Sequence, residues 1–265
     1  MSKDLQNTFN IWDGIYGTFQ EAKAETLGLG FSGDIYLAKA LAAANECFGY
    51  LQAKKPIPQF HKQRSNLLPP IAALVMKERV SILDFGGGLG IGFMTLLESL
   101  PEAVNRVTYA IVEVPAVCKA GEKLHGGGGG ITYLSSIPLS TTFDIVHAAS
   151  SLQYIENWKE WVSAITIVSP RYILLSDVFA GEITPYVTLQ NYYGSKIPHW
   201  FLSLSELVHN FDAHGYQLIM KSSVSSRRLN QFDTLPMDNF PEHLRLYESL
   251  HLLFKMKSFS SNHLV

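Results

Sequence analysis

From Arg79 onward, short apolar runs alternate with segments whose apolar residues recur at helical spacing. The runs Arg79–Leu83, Arg106–Val114, Ile131–Leu134, Phe143–Ser150 and Arg171–Asp177 read as five strands. The residues between them read as helices, among them Asn157–Val168, where Trp158, Trp161, Val162, Ile165 and Val168 share one face. Such alternation implies a parallel sheet covered on both faces. Ser203–Gly215 reads as a further helix, with Ser203 and Glu206 in a capping-box pattern, Leu202 and Leu207 as a staple, and Gly215 as a stop. Tyr216–Val224 and Ser249–Lys257 are the sixth and seventh strands. No helix separates them, so the last strand should run antiparallel. The expectation is a Rossmann-like α/β sheet.

Residues 1–78 break this rhythm. Ser32, Gly33 and Asp34 open a long helix that ends near Lys54, Lys55 and Pro56, and Asn66–Glu78 continues as a shorter helix begun by prolines. This predicts a helical lobe over 1–78 followed by a sheet domain over 79–265. The segment from Asp177 to Leu204 carries few helix or strand signals but many aromatics, and it reads as a long loop overhanging the sheet.

Composition narrows the class. Of 265 residues, 47% are apolar and 17% charged, as in ordinary globular proteins. A formal charge of −2, with basic residues scattered apart from Lys54–Lys55 and Arg227–Arg228, gives no electrostatic case for nucleic acid. Cys47 and Cys118 lack metal-ligand spacing and read as buried thiols. The polar opening Met1–Asn10 has no secretory pattern, and no apolar run approaches membrane-spanning length. These features together predict a soluble cytoplasmic chain.

The stretch ILDFGGGLGIG, Ile82–Gly92, places five glycines directly after the first strand and before a helix. That is the layout of a nucleotide-binding turn. No register satisfies G-x-G-x-x-G, which removes the main support for a dinucleotide. G-x-G-x-G does fit, at Gly86, Gly88 and Gly90, with Asp84 two residues ahead. A carboxylate there suits a ligand ammonium, which points to S-adenosylmethionine. Glu113, at the end of the second strand, is placed to accept ribose hydroxyls. Ser135 and Ser136 follow the third strand near an adenine, and Ser150 follows the fourth beside the methionine moiety. The run Gly126–Gly130 links a helix to a strand, away from the ligand edge, and reads as a linker.

The segments Ile11–Ala22, Ile82–Gly90, Ala110–Gly121, Ser150–Ile155 and Ile197–Leu207 occur in an order that resembles a family of class I methyltransferases. That family is found among bacterial surface-polysaccharide genes, lipopolysaccharide O-antigen included. The resemblance spans about Trp12 to Lys221. It implies the seven-stranded class I sheet, S-adenosylmethionine as cofactor and, more loosely, a sugar hydroxyl of a glycan or its precursor as acceptor. It supplies no catalytic residue. Methyl transfer needs an acceptor oxygen aligned with the methyl carbon and its proton removed. His199, in the long segment, and Asp177, at the end of the fifth strand, are the candidate bases. Arg64 could reach from the lobe to the methionine carboxylate, with His61 helping to close the pocket. Tyr192, Tyr193 and Trp200 could stack on a sugar. A non-catalytic protein that binds S-adenosylmethionine or a partner on this fold is the alternative, and the oligomeric state is left open.

Overall fold

A computed structural model describes residues 9–126, 128–224 and 234–258. The Arg227–Arg228 pair, most of the polar opening and Gly127 lie outside the described residues. The N-terminal segment contains strand β1 (Trp12–Tyr16) and helices α1 (Phe19–Lys23), α2 (Asp34–Gln52), α3 (Gln59–Lys62) and α4 (Leu68–Val75). Thr18 caps α1 with a full capping box to Glu21, and two prolines open α4. Strand and helix then alternate through β2 (Val80–Phe85), α5 (Ile91–Ser99), β3 (Val107–Val112), α6 (Pro115–His125), β4 (Ile131–Leu134), β5 (Ile145–Ala149), α7 (Trp158–Ile167) and β6 (Tyr172–Val178). After β7 (Ala180–Gly181), β8 (Tyr186–Tyr192) and β9 (Ser195–Ser203) come α8 (Leu204–Ala213), β10 (Tyr216–Ser223) and β11 (Leu250–Met256).

The seven strands form one sheet in the order β10-β11-β6-β5-β2-β3-β4. β2 pairs in parallel with β3 on one side and β5 on the other, while β11 is antiparallel to both β6 and β10. The antiparallel last strand is therefore as expected. Both faces are covered. Trp161, Val162 and Ile165 of α7 and Leu207 and Phe211 of α8 pack on Leu83, Val146, Ile173 and Phe254. On the other face, Ile71 of α4 and Phe93 and Leu96 of α5 cover Ile82, Ile145 and Leu174. Each fully buried side chain of this size contributes about 1.5–3 kcal/mol. Ser203 caps α8 by accepting from the Glu206 amide at 3.4 Å, with Leu202 and Leu207 fully buried beside it. Cys47 and Cys118 are buried free thiols. Among the described residues no helix is long and apolar enough to cross a membrane.

Two expectations change. The segment after β6 is a second sheet, in the order β1-β8-β9-β7, and not a loop. β8 and β9 form a tight hairpin in which Tyr192 faces Ser195 across Tyr193 and Gly194, both left-handed (φ 48° and 78°). That backbone twist suits a two-residue hairpin. Pro198 within β9 and the burial of both faces of β8 mask the period-two signal of a strand. In addition, β1 pairs with β8, so a strand from the first 78 residues completes a sheet built by the later ones.

The glycine run is more differentiated than a plain linker. Gly126 terminates α6 in a left-handed conformation, with its amide on the Glu122 carbonyl. Gly130 has φ 82°, its carbonyl accepts from the Tyr109 amide, and an added Cβ would lie 2.8 Å from the Val107 carbonyl oxygen. Gly128 faces open space. Gly130→Ala should therefore cost about 1–3 kcal/mol, while Gly128→Ala should stay within about 0.5 kcal/mol. Denaturant melts of the two variants measure both; equal losses would show that the left-handed backbone and the Val107 carbonyl put no special demand on Gly130.

Candidate functional site

In an open parallel sheet, ligands bind beyond the strand C-termini where neighbouring connections leave in opposite directions. Here that point lies between β2 and β5, and a cavity of about 750 Å³ opens there. Its volume falls within the roughly 300–1,000 Å³ of small-molecule sites. Gly86 lines it with φ 69°, and a Cβ at that position would sit 2.5 Å from Cβ of Ser151. The chain can turn there only without a side chain. Gly88 and Gly90 shape the same turn without lining the cavity, and Gly90 opens α5.

One end of the cavity is polar and built from strand ends. Glu113 lines it, with Oε1 accepting from the Gly88 amide (3.1 Å) and Oε2 from the Val114 amide (3.0 Å). Each oxygen keeps a lone pair, so the carboxylate can still accept two hydroxyls. Burial raises its pKa from the ordinary carboxylate value, against the lowering effect of the two amides. Ser135 and Ser136 line the wall after β4. Ser150 lines it at the end of β5 in a left-handed conformation (φ 54°), its hydroxyl accepting from Gln153 Nε2. A non-glycine residue held there stores about 1–3 kcal/mol.

The other end is aromatic. Phe31, Tyr36, Tyr154, Phe179 and Tyr192 line it, together with Gln190 and Arg64. Phe31 meets Tyr36, Tyr154 and Tyr192 at centroid distances of 5.3, 4.9 and 5.5 Å. The Tyr154 hydroxyl donates to Gln190 Oε1 at 2.6 Å, which ties the turn after β5 to β8 across the cavity wall. Burial pushes the Tyr192 phenol up to about 12 and raises those of Tyr36 and Tyr154 further. Arg64 Nε lies 2.9 Å from Asp177 Oδ2.

Thus Gly86, Glu113, Ser135, Ser136, Ser150, Arg64 and Tyr192 line one cavity, whereas Asp84, Asp177, His199, His61, Tyr193 and Trp200, like Gly88 and Gly90, do not. Asp84 does not line the cavity: its Oδ2 accepts from the Tyr109 hydroxyl and its Oδ1 lies 2.9 Å from His147 Nδ1, beneath the glycine turn. It is thus not available to a ligand ammonium. His199 is fully buried on β9, packed against Trp12, Tyr154, Phe179 and Phe201 at 4.7–5.7 Å. The rings of Tyr154 and Phe179 form the cavity wall in its place, so it is not placed as a base. Asp177 is fully buried too, engaged by Arg64 and by the Ser249 hydroxyl. Its carboxylate holds a cation and does not face an acceptor. His61 Nε2 lies 3.1 Å from Glu46 Oε2, Tyr193 lies under the Lys39 ammonium, and the Trp200 indole donates to the Glu156 carbonyl.

Sequence reasoning missed Phe31, Tyr36, Phe179 and Gln190. The one local signal was the Gly28–Gly30 pair, both left-handed, which docks the chain before α2 onto the β8–β9 hairpin. The Leu27–Lys196 bridge and the bond from the Gly30 amide to Ser195 Oγ fix that docking.

No protein-family model matches the chain, and no curated protein matches it in sequence. Solved structures share its fold. A chain of the Haloferax volcanii complex between the Trm112 methyltransferase activator and a methyltransferase superposes with a TM-score of 0.51 at 13% identity, covering 83% of this chain and 98% of that one. An S-adenosylmethionine-dependent methyltransferase from Clostridium acetobutylicum superposes with a TM-score of 0.50 at 12% identity, covering 75% and 92%. The architecture is the Rossmann-like class I methyltransferase fold.

Glu113 supplies a test of the cavity's electrostatics. An acid whose folded pKa is raised binds more protons folded than unfolded, so it lowers stability as pH rises from about 4 through its folded value. The wild type should lose stability relative to Glu113→Gln across that window. Thermal melts from pH 4 to 7 read the difference, and a constant offset would show that the carboxylate is not desolvated.

Proposed function

We propose that the protein is a cytoplasmic S-adenosylmethionine-dependent methyltransferase. The observation that carries this reading is the convergence of Gly86, Glu113, Ser135, Ser136 and Ser150 on one cavity at the strand C-termini of this fold. Glu113 would accept the ribose hydroxyls, with Ser135 and Ser136 at the adenine. Gly86 and Ser150 would pass the methionine moiety along the backbone, and Arg64 would take its carboxylate. When bound, S-adenosylmethionine supplies an electrophilic methyl group. The chain's own part is to hold the acceptor in line and exclude water.

Within this reading the acceptor is a sugar hydroxyl of a surface glycan or its precursor. Two features support it: the sequence resemblance to methyltransferases of surface-polysaccharide gene clusters, and the ring-lined end. Phe31, Tyr36 and Tyr192 offer flat apolar faces to a sugar ring, and Tyr154 with Gln190 offers polar groups to its hydroxyls. A second reading, binding without transfer, is favoured by the burial of His199 and Asp177 away from the cavity.

The test has two steps. S-adenosylmethionine and S-adenosylhomocysteine should stabilise the protein by about 2.7 kcal/mol at a hundredfold excess over Kd, and NAD should not. Glu113→Ala should weaken cofactor binding by about 1.5–3 kcal/mol, read by calorimetry. Nucleotide sugars and glycan fragments are then screened for release of S-adenosylhomocysteine. Stabilisation by NAD alone would overturn the cofactor; binding with no turnover across the screen would favour the second reading.

A further inference from the structure

Asp177, the penultimate residue of β6, is in a left-handed conformation (φ 54°) with its side chain fully buried. A carboxylate is costly to bury unless it is paired and hydrogen-bonded. Oδ1 accepts from the Ser249 hydroxyl, itself 1% exposed, and Oδ2 faces Arg64 Nε at 2.9 Å. Arg64 is different. It lines the cavity, its side chain is 47% exposed, and its terminal nitrogens donate to no described residue. The guanidinium is therefore held at its Nε edge by an ion pair with Asp177, while its fork is left over. Tyr36, Tyr154 and Tyr192, which line the same end, stay protonated and add no competing negative charge.

We propose that Asp177 is a positioning residue: it fixes Arg64 so that the guanidinium fork presents to the methionine carboxylate, and so selects nucleosides that carry the amino acid over those that lack it. This rests on the cofactor reading above. A long cationic side chain loses rotamer freedom when it is ordered by a ligand, and that loss weakens binding. The ion pair with Asp177 imposes much of that order before the ligand arrives. Asp177 then acts through Arg64 and touches neither the cofactor nor the acceptor.

The experiment compares two nucleosides by calorimetry: S-adenosylhomocysteine, and 5′-methylthioadenosine, which shares the adenosine and thioether but has no amino-acid end. Asp177→Asn is the variant of choice, because asparagine tolerates the left-handed backbone and removes only the charge. Asp177→Asn and Arg64→Met should each weaken S-adenosylhomocysteine roughly 10- to 100-fold, leave 5′-methylthioadenosine within about threefold, and combine in the double variant to no more than Arg64→Met alone. If Asp177→Asn does not fold, Arg64→Lys takes its place. Lysine keeps the charge but cannot pair with Asp177 and present a planar fork at the same time, so S-adenosylhomocysteine must weaken while 5′-methylthioadenosine does not. Equal weakening of both nucleosides would reveal a merely structural role and overturn the proposal. Unchanged S-adenosylhomocysteine affinity, or additive effects in the double variant, would overturn it as well. A wild-type protein that binds neither nucleoside would instead overturn the cofactor reading, and this inference with it.

Discussion

A carboxylate at the centre of a parallel sheet must be satisfied by its neighbours, and Asp84 is met from both sides. Tyr109 reaches it from β3 and His147 from β5, so one buried group ties together the three strands that frame the cavity. Strands held in that register leave β2 and β5 to end side by side, where the next residues are Gly86 and Ser150. The turn at Gly86 then has no choice of path: Ser151 stands 2.5 Å from where a Cβ would be, and Asp84 Oδ2 lies equally close to a Cβ on Gly87. The glycines accommodate the carboxylate as much as they accommodate a ligand. Placement of Glu113 follows, since its Oε1 takes the Gly88 amide that this turn presents.

This explains why the glycine motif was legible and Asp84 was not. Residues that strand order alone delivers to the C-terminal edge, such as Glu113, Ser135, Ser136 and Ser150, could be placed from spacing. Their position along a strand decides their exposure to the cavity. Asp84 obeys the same spacing, but its side chain points to the face that packs under the turn, and two partners distant in sequence capture it there. Nothing local distinguishes a carboxylate that waits for an ammonium from one already held by a tyrosine and a histidine. The seven strands were readable for a related reason: each is a short apolar run between clear helix or turn signals.

The second sheet was illegible for opposite reasons. β8 is buried on both faces over its first four residues and so lacks alternation, while β9 alternates but carries Pro198, a residue that argues against a strand. β1 lies some 170 residues earlier, and its pairing to β8 is a tertiary fact. The error in placing His199 came from this source. A histidine in an overhanging loop would face the ligand, whereas a histidine on β9 alternates inward with Ile197 and Phe201 and joins the aromatic core of that sheet. The hairpin does face the cavity, but through Gln190 and Tyr192 of β8.

The character of the two cavity ends then has a common origin. The sheet edge contributes backbone amides, small hydroxyls and one carboxylate, because strand termini and glycine turns leave polar groups unpaired. The other end is assembled from separate places along the chain: Phe31 before α2, Tyr36 within it, Arg64 after α3, Tyr154 after β5, Phe179 after β6, and Gln190 and Tyr192 of the hairpin. Pieces that meet only through tertiary packing must bury apolar area to stay together, and large rings bury the most per residue. Hence Phe31 contacts Tyr36, Tyr154 and Tyr192 at once. The same packing raises the phenol pKa values, so these hydroxyls remain neutral near pH 7 and act as hydrogen-bonding groups, not as proton acceptors. With the Tyr154 proton committed to Gln190, its oxygen is free to accept a hydrogen bond from whatever donor enters the cavity. Rings that hold the wall together therefore also set the polarity that an acceptor must match.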